Sequence, residues 1–307
     1  MCIDKGLYDT LLAKPLTELI VEADRIRKRH IGPNLELCSI INAKSGLCSE
    51  DCKFCAQSSR HSAKVDVYPL KDKHEIIKAA SKAKEIGAKK FGIVTSGNRL
   101  EKQELEVIAE AISEISNKIG IQVCVSLGAL NREELSLLKD AGLSRYHHNI
   151  ETSENFYKKI VSTHDFKERV DTIKAAKSID LDVCSGGILG LGESWQDRID
   201  MALLLKKLGV DSVPINLLVP IKGTAMENVK SISCNDAIRA IAIFRIILKD
   251  KAIKIAAGRE TVLKDFQGMG FLAGANGMLI GGYLTVKGRD LESDYEFIKE
   301  IENIWTE

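Results

Sequence analysis

Short apolar runs rich in β-branched residues alternate with helical patterns along almost the whole of this chain. The runs are "KFGIVTSG", "IQVCVSLGA", "RYHHNIET", "LDVCSGGILG", "DSVPINLLV" and "IKIAAG", preceded by "LELCSIINA". Between them lie segments such as "KHEIIKAASKAKEIG", "KQELEVIAEAISEISNKIG" and "NDAIRAIAIFRIILKD", several ending in glycine where a helix C-terminus wants one. Strands separated by helices of this length pair in parallel, as β/α units. "GMLIGGYLTV" supplies an eighth strand after a short helix near residues 261–269. Eight units in 307 residues predict an α/β fold, a parallel β/α (TIM-type) barrel. An open doubly wound sheet is the alternative, but no GxGxxG follows the first strand. No linker or low-complexity tract divides the chain, so one domain is expected over residues 1–307. A helix from Leu16 to Arg27 precedes it, and "RDLESDYEFIKEIENIWTE" forms a helical tail outside the barrel.

In such a barrel the strand C-terminal ends carry the active site. Polar residues recur there: Ser96, Ser126, Asn149, Glu151, Ser185, Asn216 and Arg259. Some cap the next helix, but their number predicts a polar cavity. Lys plus Arg is 44 and Asp plus Glu is 43, which argues against a nucleic-acid surface. No apolar run reaches the ~20 residues of a membrane span. The first thirty residues lack the order of a signal peptide, so a cytoplasmic location is expected.

Eight cysteines in a cytoplasmic chain do not make a disulfide framework. Three of them, Cys48, Cys52 and Cys55, fall within "CSEDCKFC", directly after the first strand. Structural zinc takes four protein ligands, and nearby His61 is one way to complete such a site. Iron–sulfur clusters also take thiolates, usually one per iron. Three thiolates on four irons leave one iron open for a ligand, which suits a barrel mouth.

The CxxxCxxC spacing, with the aromatic Phe54 before its last cysteine, resembles the signature of the radical S-adenosylmethionine (AdoMet) superfamily. That resemblance implies a [4Fe-4S] cluster on Cys48, Cys52 and Cys55, with AdoMet chelating the open iron. Reductive cleavage of AdoMet then yields a 5′-deoxyadenosyl radical. "GGILGLGE" is similar to the superfamily's GxIxGxxE run, which implies that Ile188 lies on the adenine, with Phe54 and Val219 completing an apolar slot. "CSGGILGLGE", "DSVPINLLVPIKGT", "AAGRE" and "GFLAGANGMLIGG" together resemble the biotin synthase family over nearly the whole chain. The family's reaction is sulfur insertion into dethiobiotin to give biotin. It breaks two C–H bonds too weakly acidic for acid–base catalysis, with the sulfur taken from an auxiliary iron–sulfur cluster.

By motif, the resemblance places Glu151 on the AdoMet ribose and Arg169 on its carboxylate. Asn149 and Asn216 face the ureido ring of dethiobiotin, and His147 stands where the family usually has Asn. Strand alternation puts His147, Asn149 and Glu151 on one face. The auxiliary [2Fe-2S] cluster of the family takes three cysteines and an arginine. Cys124, Cys184 and Arg259 match three of these ligands, but Gly92 stands where the remaining cysteine belongs. Three readings stay open. The auxiliary cluster is absent, and the enzyme does radical chemistry of maturase or carbon-skeleton type; it survives with fewer ligands; or Cys38, on the first strand, replaces the lost thiolate. The expected site under the last reading is Cys38, Cys124 and Cys184 with Arg259 nearby, holding a cluster of open nuclearity, 2Fe or 4Fe. A non-enzymatic iron–sulfur or zinc protein leaves the polar strand ends unexplained. The family also implies a homodimer and a flavodoxin- or ferredoxin-type electron donor.

Overall fold

The structure is a computed structural model and describes residues 5–282 and 288–306. Its strands are β1 (Glu36–Lys44), β2 (Lys90–Thr95), β3 (Gln122–Ser126), β4 (Arg145–His147), β5 (Asp182–Cys184), β6 (Gly187–Leu189), β7 (Ser212–Leu217), β8 (Ala252–Ile255) and β9 (Gly277–Leu279). All pair in parallel, and a β5–β7 bridge closes the sheet. Strands β5 and β6 are two halves of one barrel strand, so the closed barrel has the eight strand positions expected. The eighth strand is shorter than the sequence pattern implied, and residues 283–286 of that pattern lie outside the described residues.

The helices start and stop where side chains dictate. Asn131 and Ser194 each begin a helix with a reciprocal capping box, closed by Glu134 and Asp197. Gly120 (φ 69°) and Gly209 (φ 66°) end helices in the left-handed conformation, turning the chain into β3 and β7. The first long helix runs Leu16–His30, one turn beyond the expected end, and packs on Cys234–Leu248. The tail helix, Leu291–Thr306, lies outside the barrel, with Trp305 under the Arg27 guanidinium at 4.1 Å.

Two breaks in the pattern shape the cavity. "RYHHNIET" is a regular strand only to His147. Beyond it the backbone bends inward, with Ile150 and Glu151 both donating to the Gly186 carbonyl and Glu151 at φ 66°. "LDVCSGGILG" breaks at Ser185–Gly186, because β7 passes too close for a side chain. A Cβ at Gly186 would stand 1.9 Å from the Pro214 carbonyl oxygen, and one at Gly187 would stand 2.3 Å from that of Glu151. These glycines serve strand-to-strand contact. Gly186→Ala is therefore expected to destabilise the fold by about 3 kcal/mol, read as a fall in Tm of several degrees. An unchanged Tm would show that β7 can yield.

Candidate active site

Strand alternation decides what the barrel interior contains. Lys90, Gly92 and Val94 of β2, Cys124 and Ser126 of β3, Arg145 and His147 of β4, and Pro214 and Asn216 of β7 all line one internal cavity of about 530 Å³. Cys38 and Ile40 of β1, Cys184 of β5 and Lys254 of β8 complete its lower part. Its mouth, at the strand C-terminal ends, is lined by Cys48, Cys52, Phe54, Cys55, Glu151, Arg169, Ile188 and Val219. Of the polar strand ends, Ser185 and Arg259 do not reach the cavity.

The triplet loop folds back on itself. Cys48 N–H donates to the Gln57 carbonyl at 3.1 Å, Ser59 N–H to that of Cys48 at 2.8 Å, and Cys55 N–H to that of Cys52 at 2.9 Å. Gln57 Oε1 pins the loop's entry by accepting from Ser45 Oγ and Gly46 N–H. All three thiols are thereby brought to one wall. Burial pushes the thiols of Cys52 and Cys55 above the ordinary thiol range, so a cationic partner is needed to hold them as thiolates. Nearby His61 turns its Nε2 to the Cys52 carbonyl at 3.1 Å. Among the described residues no three His, Cys, Asp or Glu side chains converge tightly enough for a single metal ion.

Deeper in the barrel, Cys38, Cys124 and Cys184 share a floor with three cations. Lys254 Nζ donates to Cys38 Sγ at 3.1 Å. Glu36 accepts from Lys254, from Arg145 Nη1 at 3.1 Å, and lies 3.3 Å from Lys90 Nζ. Burial would raise Glu36, but Lys254, Arg145 and Lys90 outweigh it and bring the carboxyl to about 2. Burial likewise opposes ionisation of Cys184, yet Lys254, His147 and Arg145 lower it to about 6. Cys124, buried and beside Cys38, goes up to about 12. Three cations against two carboxylates, Glu36 and the more exposed Asp182 at 3.5 Å from Arg145 Nη2, leave the floor electropositive, and Arg145 Nε is buried without a hydrogen-bond partner. That donor set suits an anionic sulfide-bearing group held by thiolates.

The expected arginine is not on this floor. Gly258 (φ 85°) opens a short helix, Arg259–Leu263, which turns Arg259 out of the barrel. There Arg259 is 1% exposed and donates to Gln267 Oε1 and Asp294 Oδ1, each at 2.8 Å, clamping the tail helix. Lys254 takes the inward place. The signal was present in "IKIAAG": Lys254 stands between two isoleucines, so the alternation that buries Ile253 and Ile255 in the helix layer aims Lys254 inward. Arg259→Gln is expected to cost about 3 kcal/mol by stranding Asp294, with iron and sulfide content unchanged. Lys254→Met should keep the fold and lose the iron and sulfide that the triplet does not account for. Thermal unfolding and metal analysis of both variants check this, and a reversed pattern would return Arg259 to the floor.

Gly92 also finds its reason here. A Cβ at this position would meet Ile40 Cγ2 at 3.0 Å, so Ile40 fills the space that a side chain on β2 would need. Cys38, two residues before Ile40 on the same face, brings a thiol to the cavity from the neighbouring strand. His147 pairs in register with Cys184 and helps to lower its thiol, which places it on the floor. Asn149 and Asn216 each spend part of their amides on the framework. Asn149 accepts from Gly186 N–H at 3.1 Å and donates to Glu151 at 3.4 Å; Asn216 accepts from Ala257 N–H and donates to the Gly187 carbonyl. Each keeps donor and acceptor capacity toward the cavity. Of the remaining cysteines, Cys234 donates to the Leu263 carbonyl and Cys2 lies outside the described residues.

A fold with thiols at its mouth and a closed polar interior is that of the radical SAM enzymes. The family description "Radical SAM superfamily" matches residues 44–205, and "Biotin and Thiamin Synthesis associated domain" matches residues 214–303. Among solved structures, a methylornithine synthase aligns with a TM-score of 0.82 at 20% identity, covering 97% of this chain and 92% of its own. The hydrogenase maturase HydG of Carboxydothermus hydrogenoformans aligns at 0.81 and 18%, covering 96% of this chain and 73% of its own; both likenesses concern the fold. Two sequence relatives are named biotin synthase. That of Thermotoga petrophila is 48% identical, covering 96% of this chain and 97% of its own, and that of Thermotoga neapolitana is 53% identical, covering 88% and 97%. This chain belongs to the biotin synthase family. Membership implies a [4Fe-4S] cluster with AdoMet and an auxiliary cluster, and the two cysteine trios fit those groups. No helix of the described residues is long and apolar enough to cross a membrane.

Proposed function

We propose that this enzyme converts dethiobiotin to biotin, with Cys48, Cys52 and Cys55 holding the AdoMet cluster and Cys38, Cys124 and Cys184 holding a sulfur-donating auxiliary cluster. The observation that carries this reading is the pair of thiol trios at two depths of one cavity, with the Asn149 and Asn216 amides nearby. When bound, the cluster and AdoMet supply a radical strong enough to take hydrogen from an unactivated carbon. The chain's own task is placement. Phe54, Ile188 and Val219 form an apolar wall for the adenine, Glu151 meets the ribose, and Arg169 meets the carboxylate. Asn149 and Asn216 orient a planar, neutral ureido ring that both donates and accepts. His147 serves the auxiliary thiol of Cys184, and Lys254 donates a charge-assisted hydrogen bond at Cys38. The enclosing barrel keeps water and other hydrogen donors from the reactive carbon. A 4Fe-type auxiliary cluster is part of the proposal, and the iron and sulfide found beyond the triplet's own cluster measure its nuclearity.

The electron enters from a flavodoxin or ferredoxin, and the enzyme works as a homodimer in the cytoplasm. The test is anaerobic incubation with dethiobiotin, AdoMet and a low-potential reductant. Biotin is expected, with two deoxyadenosines per biotin because each C–H bond takes one radical. Deoxyadenosine without biotin would sink sulfur insertion.

A further inference from the structure

Across the cavity mouth runs a chain of polar groups that neither thiol trio uses. Glu50 stands between Cys48 and Cys52, and its Oε2 lies 2.7 Å from His164 Nδ1. His164 Nε2 in turn lies 2.9 Å from Arg169 Nη2. Arginine has donors only, so Nε2 accepts, the ring carries its proton on Nδ1, and Glu50 receives it. The His164 side chain is 3% exposed, which keeps water from competing for either bond. Arg169 also donates Nε–H to Tyr157 Oη at 2.7 Å and Nη1–H to the Asn149 carbonyl at 2.9 Å. Three of its five N–H groups are thus spent on the protein. One remains on each terminal nitrogen, on a side chain that lines the cavity 3.8 Å from Glu151. The next residue of the loop repeats the clasp: Asp51 Oδ1 accepts from Ser162 N–H at 2.8 Å and Thr163 N–H at 3.2 Å. Segment 162–164 is therefore held to the triplet loop through two adjacent carboxylates.

We infer that His164 is a positioning residue for AdoMet: it fixes the Arg169 guanidinium relative to the loop that carries the cluster thiols. The inference rests on the reading of Arg169 as the partner of the AdoMet carboxylate. One small molecule must then meet both the triplet's cluster and Arg169, so the separation of these two anchors governs its affinity. A rigid ring with one acceptor and one donor on opposite edges sets that separation; a flexible side chain or a water would let it drift.

The experiment measures AdoMet affinity of the anaerobically reconstituted holoenzyme, without reductant, per loaded cluster. The variants are His164→Ala, His164→Gln, Arg169→Gln and the His164→Ala/Arg169→Gln pair. His164→Ala is expected to weaken AdoMet about tenfold, the scale of one charge-assisted hydrogen bond. The double variant should bind no more weakly than Arg169→Gln alone, because His164 acts through that side chain. His164→Gln, whose amide both donates and accepts but on a flexible chain, should recover only part of the loss. Full affinity in His164→Ala, or a loss that adds in full to that of Arg169→Gln, overturns the inference while leaving Arg169 in place. An Arg169→Gln enzyme that binds AdoMet normally overturns the reading of Arg169 itself, and the inference with it.

Discussion

Replacing Cys52 with alanine is expected to abolish AdoMet cleavage, by more than about three orders of magnitude, and to remove about four irons per chain. Cys52 is buried, at 8% exposed, and burial makes its thiolate costly unless metal compensates. The loop's hydrogen bonds run through its backbone and through Gln57, Glu50 and Asp51 rather than through the Cys52 thiol, so they survive the substitution and the fold stays intact. The barrel interior, at Cys38, Cys124 and Cys184, keeps its own iron. Deoxyadenosine production and iron content measure the outcome. Cleavage at more than a few per cent of the parent rate would mean that the triplet is not the AdoMet site.

Cys38→Ala separates the two halves of the chemistry. Biotin formation is expected to fall by about a hundredfold or more, the cost of losing a ligand rather than a supporting hydrogen bond. AdoMet cleavage should persist within a few-fold, because Cys38 lies on the barrel floor and the triplet at the mouth. Sulfide and iron content should drop to that of the triplet's cluster alone, with a matching change in the Mössbauer spectrum. The substitution also leaves Lys254 without its sulfur partner, adding charge to a floor that already carries Lys90 and Arg145. If the auxiliary cluster and biotin yield are retained, Cys38 is a buried small hydrophobe, and the position vacated at Gly92 has no replacement.

The strand–helix alternation was legible because burial on both faces of a parallel strand leaves an apolar run that polar helices interrupt. The triplet was legible because its three cysteines fall within eight residues of one loop, so spacing alone carries geometry. Fourteen residues expected at the site do line one cavity, from Cys38 to Val219. Arg259 failed for a local reason. A motif match placed it near the strand end, but one left-handed glycine turned it outward, and the inward parity belonged to Lys254. His164 and Glu50 went unremarked because their partners are far apart in sequence: Glu50 meets His164 across 114 residues, and neither has a helix or strand periodicity to betray it.

Short-range physics thus set the barrel, its strand order and the triplet, since each rests on residues within a few positions of one another. The floor was decided only by closure. Cys38 on β1, Cys124 on β3, Cys184 on β5 and Lys254 on β8 meet because the sheet curls until β5 touches β7, bringing distant strands round a common interior. Burial there makes their charges interact strongly, splitting thiols of ordinary acidity into one pulled down to about 6 and one pushed up to about 12. That coupling depends on distance in a low-dielectric interior, a quantity that no one-dimensional spacing encodes.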